Sequence, residues 1–179
     1  MALNRRHLLA IAATAPLPGA LAAQPAGLEA PNVVPISPHL VTSGQPTRAA
    51  LEGLGAAGFQ AVVYLAPLSV PDAVPDEAAI LQRQGIDFVH LPIPFGAPEA
   101  SHYTAFAQAL RRLADRKVLV HCQVNMRASS LVFLYRSIAL HEPPATAYEA
   151  VARVWSPRGP WRALIVAQLR EHHIDFDPY

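Results

Sequence analysis

Val118-Leu119-Val120-His121-Cys122-Gln123-Val124-Asn125-Met126-Arg127-Ala128-Ser129 passes from an apolar run through a polar turn into a helical pattern. The run ending at His121 reads as a strand buried on both faces. Leu131, Leu134, Tyr135 and Ile138 then recur on one face of a helix. Between the two, one short loop receives the thiol of Cys122 and the guanidinium of Arg127. A loop at this place turns backbone N–H groups inward, and the helix adds the positive end of its dipole. With the guanidinium they form an anion socket with a sulfur at its floor. A thiolate held there could attack phosphorus while the loop grips the phosphate oxygens.

Working outward, strands alternate with helices. Residues 32–35 and 39–42 are short extended segments, and Thr47 can cap a helix through Leu51 and Leu54 that ends at Gly58. Residues 61–65 form an apolar strand, 67–75 a loop, and Asp76 can cap a helix stopped by Gly85. Residues 88–91 are a further strand. Residues 99–114 carry Tyr103, Phe106, Leu110 and Leu113 at helical spacing, and two more helices run roughly over 145–155 and 158–172. This alternation predicts an α/β fold with a mostly parallel central sheet flanked by helices. Ligands of such sheets bind beyond the carboxyl ends of the strands, where Cys122 lies.

The chain has 179 residues, 52% apolar and 15% charged, which excludes a disordered chain. Net charge is +1, with no basic stripe of the kind that nucleic acids or membrane surfaces attract. Arg5-Arg6, an apolar stretch from Leu8 to Ala15 and the small-residue run Ala20-Leu21-Ala22 read as an export signal over residues 1–22. Residues 23–31 then read as a linker and 32–179 as the domain. Without the leader, 12 basic and 13 acidic side chains give −1. The expected location is a bacterial periplasm, with no membrane contact in the mature form. Cys122 is the only cysteine, so no internal disulfide forms. No metal-ligand spacing occurs, no cofactor is implied, and His172-His173 reads as a solvated helix end.

Val118 to Cys122 with a downstream Arg resembles the cysteine phosphatases of the tyrosine and dual-specificity types. Ser43-Gly44-Gln45-Pro46-Thr47, Leu65 to Pro67, His90-Leu91-Pro92-Ile93-Pro94, Asn125 to Ser129 and Trp155-Ser156-Pro157 are similar to the bacterial phosphatase-like family also found fused to beta-lactamase-hydrolase-like proteins. The resemblance spans roughly residues 32–172. It implies a dual-specificity phosphatase-like architecture and hydrolysis of phosphate monoesters through a phosphocysteine. Cys122 would be the nucleophile and Arg127 the clamp on the phosphoryl oxygens. Gln123, Val124, Asn125, Met126, Ala128 and Ser129 would complete the phosphate-binding loop, with His121 fixing it from behind. Ser129 either caps the helix or helps the sulfur leave. The substrate would be a phosphorylated protein or small phosphate monoester. Val124 and Met126 bring no extra cation, as polyphosphorylated inositols would require.

Three departures from that family's pattern matter. Four residues separate Cys122 from Arg127 instead of five, so Ala128 holds the usual Arg place. Four is the spacing of rhodanese-type sulfurtransferases, which keeps a Cys122 persulfide in view. The customary loop Gly is missing, and Asn125 substitutes for it best, because Asn tolerates the left-handed conformation. The loop after residues 88–91 offers no Asp as general acid; Glu99 is the nearest carboxyl group, though an acid at a helix start is favoured by the dipole anyway. Missing acid and Gly together also fit an inactive phosphate-binding module. Asp72, Asp76 and Asp87 read as loop or cap residues, Gln45 as a turn residue, Arg127 alternatively as a surface ion-pair partner, and Trp155 and Trp161 as core.

Overall fold

The computed structural model describes residues 28–177. The export signal, expected over residues 1–22, lies outside them. Five strands form one sheet: β1 (Val34–Ser37), β2 (Leu40–Ser43), β3 (Ala61–Tyr64), β4 (Asp87–His90) and β5 (Val118–His121). Their order is β1-β2-β5-β3-β4, antiparallel between β1 and β2 and parallel elsewhere. The chain leaves β2 through α1 (Arg48–Glu52), and returns from β3 through α2 (Glu77–Gln82) and from β4 through α3 (Ala100–Arg112). After β5 come α4 (Met126–Ile138), α5 (Pro144–Ala152) and α6 (Gly159–Glu171). The expected α/β fold, mostly parallel with helices on both faces, is what the chain adopts.

Strand alternation divides the core. Val118 and Val120 face the larger cluster with Phe106, Leu131, Phe133 and Trp161; Leu119 faces the smaller one with Leu51, Leu54, Ile80 and Leu81. A strand with apolar residues at every position is therefore buried on both faces. His121 continues the Leu119 side and Cys122 the Val120 side. Because β2, β5, β3 and β4 run parallel, their carboxyl ends share one edge. The segments 44–47, 122–125, 65–76 and 91–99 converge there.

Several expectations change. α1 stops at Glu52, where Gly53 caps it, and turns fill the stretch to Gly58; two glycines in close succession weaken helix continuation. Thr47 does cap, accepting the Ala50 N–H at 3.2 Å. Asp76 stands at the start of α2 but makes no side-chain cap bond, because its carboxylate pairs with Arg48 and ties α1 to α2. Residues 28–31 are not a linker: Leu28 packs on the smaller core, and the Glu29 and Pro31 carbonyls accept the Thr47 and Gly44 N–H groups. α4 is buried from Arg127 to Ser137, all round instead of along one face, because it lies between the sheet and α3, α5 and α6. His172 and His173 are exposed at the end of α6, as expected. No helix among the described residues is long and apolar enough to cross a membrane.

Candidate active site

β5 continues its pairing one residue beyond its end, as the Cys122 N–H donates to the Ser43 carbonyl at 3.3 Å. The chain then turns away. The Gln123 carbonyl accepts the Gln45 N–H at 3.0 Å, and the Val124 carbonyl accepts Asn32 Nδ2 at 3.0 Å. A trans peptide is planar, so the N–H groups of Val124 and Asn125 project from the opposite side. Asn125 has φ of 70°, the left-handed conformation expected of it. Its Nδ2 donates to the Asn32 carbonyl and to Thr42 Oγ1, at 2.6 and 3.0 Å. α4 begins at the next residue, and its first N–H groups have no partner inside the helix. The result is a concave row of amides closed by a helix N-terminus, as Gln123 to Ala128 were expected to form.

Gly44 makes this turn possible. A Cβ there would stand 2.7 Å from the Gln123 carbonyl oxygen and 2.8 Å from Pro31 Cβ. Only a residue without a side chain lets the Ser43-to-Thr47 segment lie against the loop.

Cys122 is fully buried at the loop floor. Burial alone suits a structural cysteine equally well. Arg127 is 4% exposed, so it is no surface ion-pair residue. Its Nε donates to the Ile93 carbonyl at 2.9 Å, Nη1 lies 3.5 Å from Gln123 Oε1, and the guanidinium carbon sits 5.1 Å from the Phe95 ring centroid. Ala128, at the usual Arg place, is wholly inside the larger core. A guanidinium there would be stranded among apolar groups. One position earlier, about 100° around the helix, it reaches the phosphate loop and the 91–99 segment. The shortened spacing thus has a geometric reason.

A buried polar group supports the loop from behind. His121 Nε2 lies 2.7 Å from Glu77 Oε1, and Glu77 Oε2 accepts Gln45 Nε2 at 2.9 Å. His121, Glu77 and Gln45 are all buried. The Tyr64 ring stacks between His121 and His90, with centroids 4.6 and 5.2 Å away. Burial first, then the Glu77, Asp72 and Cys122 charges, push the Tyr64 hydroxyl up to about 12, while Arg127 opposes them. Tyr64 therefore stays neutral at any ordinary pH. His121 is thus joined, through Glu77, to Gln45, whose N–H holds the Gln123 carbonyl. Gln45 is more than a turn residue.

Glu99 is held otherwise. It opens α3 in a capping box: its carboxylate accepts the residue-102 N–H, and its own N–H donates to His102 Nδ1 at 2.9 Å. Ser101 Oγ also donates to it. Ser129 does not cap α4, since Asn125 stands at that position; the Ser129 hydroxyl donates to the Met126 carbonyl at 3.3 Å. Trp161 is fully buried and donates Nε1 to the Phe95 carbonyl at 2.9 Å, while Trp155 and Trp161 both flank the Phe95 ring. They are core and staple residues.

Three participants escape sequence reasoning. Glu77 looks like an ordinary acid in a first helical turn. Asn32 has only its turn propensity. Asp72, which accepts Gln123 Nε2 at 2.9 Å, looks like a loop acid. The buried partner required by a strand-end His was the available signal for Glu77. Among the described residues no group of three or more His, Cys, Asp or Glu is disposed to hold a metal ion.

A thiol and an Arg in one amide-lined loop, at the carboxyl edge of a parallel sheet, define the class of dual-specificity and tyrosine phosphatase-like domains. Residues 35–156 match the family described as DSP-PTPase phosphatase fused to NAD+ kinase, and the chain belongs to that family. A candidate phosphatase (DUF442) from Shewanella putrefaciens CN-32 is 28% identical, with a TM-score of 0.73 over 82% of this chain and 95% of its own. Tk-PTP in its active form is 22% identical, with a TM-score of 0.64 over 79% and 97%. The core catalytic domain of the PP-IP phosphatase SIW14 from S. cerevisiae, in complex with citrate, is 16% identical, with a TM-score of 0.64 over 82% and 88%. The last two speak for the fold alone. No curated protein matches the chain.

Two substitutions test this geometry. Gly44→Ala should cost about 1–3 kcal/mol in urea unfolding through overpacking. Glu77→Ala should cost about 3–5 kcal/mol, because it strands His121 and Gln45 without their buried partner.

Proposed function

We propose that this domain hydrolyses phosphate monoesters with Cys122 as nucleophile. The loop geometry carries the reading: sulfur at the floor, amides turned inward, Arg127 on the rim. The amides and the Arg127 guanidinium suit a phosphate dianion lying over the sulfur. The thiolate attacks phosphorus as the ester oxygen departs, leaving a phosphocysteine. Loop amides and Arg127 hold the non-bridging oxygens, where charge develops. Water then attacks phosphorus, releasing inorganic phosphate and regenerating the thiolate. His121, Glu77 and Gln45 keep the loop in shape and touch no substrate.

SIW14 is named for PP-IP. Here the loop positions Gln123, Val124 and Met126 supply no cation, and Leu68, Phe95 and Val124 are exposed apolar side chains on the converging loops. That surface suits a single phosphate on an apolar or aromatic group, such as a phosphorylated protein side chain or small aryl ester.

The reduced protein should turn over para-nitrophenyl phosphate, with activity abolished in Cys122→Ser and lowered about 10²- to 10³-fold in Arg127→Ala, as expected for losing a preorganised donor. Turnover surviving in Cys122→Ser would sink the proposal. Transfer of sulfur from thiosulfate to cyanide without ester hydrolysis would favour the sulfurtransferase that the four-residue spacing allows.

We also propose, from the leader pattern alone, that the protein works in the periplasm. Cell fractionation should find it there, and Arg5→Lys with Arg6→Lys should hold it in the cytoplasm; cytoplasmic wild-type protein would refute this.

A further inference from the structure

An ester oxygen leaving phosphorus needs a proton unless it is already a weak base. The segment 91–99 supplies no Asp, and Glu99 is engaged in its capping box. Glu77 is buried between His121 and Gln45, and Asp76 is paired with Arg48. One further carboxyl group reaches the phosphate loop. Asp72, exposed in the segment 65–76 after β3, accepts Gln123 Nε2 at 2.9 Å. The same Gln123 side chain has its oxygen 3.5 Å from Arg127 Nη1. One loop residue thus joins the carboxylate to the guanidinium.

A second observation converges on this place. The hydroxyl of Tyr64, at the end of β3 beside His121 and just before the segment that carries Asp72, is buried without a hydrogen-bond partner. Displacement at phosphorus places the leaving oxygen opposite the attacking atom. Cys122 is at the floor, so the leaving oxygen faces the mouth, and exposed Asp72 lies on that side. Pro71 before it and Pro67 and Pro75 around it restrict the backbone of its segment.

We propose that Asp72 is the general acid, supplied by the loop after β3 instead of the loop after β4. This assignment rests on the cysteine-phosphatase reading above. As the sulfur–phosphorus bond forms and the phosphorus–oxygen bond breaks, the Asp72 carboxyl proton passes to the departing oxygen, which leaves as a neutral alcohol or phenol. The Asp72 carboxylate then takes a proton from the water that attacks the phosphocysteine. That step releases phosphate and the thiolate and returns Asp72 to its acid form.

The test compares two esters on the reduced full chain: para-nitrophenyl phosphate, whose phenol leaves readily, and phenyl phosphate, whose phenol needs a proton. Asp72→Asn should lower kcat for phenyl phosphate about 10²- to 10³-fold and for the nitrophenyl ester tenfold or less. The alkaline limb of the phenyl phosphate profile should go with it, and Asp72→Glu should restore part of the rate. A thermal melt of each variant shows that it folds. Equal losses on both esters, or none on either, would overturn the assignment, as would Glu99→Gln producing the leaving-group-dependent loss instead. Wild-type protein inert on both esters would overturn the phosphatase reading and this one with it. Turnover that needs Cys122 but not Asp72 would overturn this one alone.

Discussion

Two carbonyl groups, those of Gln123 and Val124, are turned outward onto the segments that precede β1 and follow β2, and the rest of the site follows from that. Gln45 N–H and Asn32 Nδ2 hold them there. Peptide planarity then obliges the neighbouring N–H groups to face the other way, into the socket. The constraint reaches back to Gly44, which alone fits against the loop, and forward to Asn125, whose left-handed backbone lets α4 start at once. The proposed anion site would need no residue specialised for the purpose except Arg127. Most of its attraction would come from ordinary peptide dipoles that have been stopped from pairing with one another.

β5 was readable because a strand buried on both faces has no polar position to hide, and Val118-Leu119-Val120 shows none. The Asn125 conformation was readable because few residues other than Gly accept it. α4 was only half legible. Its helical period was plain, but its complete burial depends on α5 and α6, which pack over a face that contains Ser130, Ser137 and Arg136. Ser130 donates to the Met126 carbonyl, and Arg136 to Glu142 and to the Ala147 carbonyl, so both are held inside the protein. Glu77 and Asp72 were illegible for a different reason. Each meets the loop through a contact spanning more than forty residues, and nothing local distinguishes a helix-start acid with such a partner from one without.

The shift of the cation from position 128 to 127 illustrates how little a motif's spacing means apart from direction. On a helix, one residue turns a side chain by about 100°. At 128 that direction leads into the apolar core, at 127 onto the Ile93 carbonyl and the Phe95 face. The chain brings the cation back to the side of the loop and of Gln123 by changing the count, so equal spacing is no guide to direction in space.

Phe95 stands at a junction with a further consequence. It carries the Arg127 guanidinium on its face, and both tryptophans of the chain lie about 6 Å from its ring. Trp161 is also bonded to its carbonyl. Indole emission responds to nearby charge and to the polarity around the ring, and these indoles share a single neighbourhood beside the anion socket. The two indoles and the Arg127 guanidinium thus share one aromatic neighbour, so a change around that cation can be followed by light without attaching a dye.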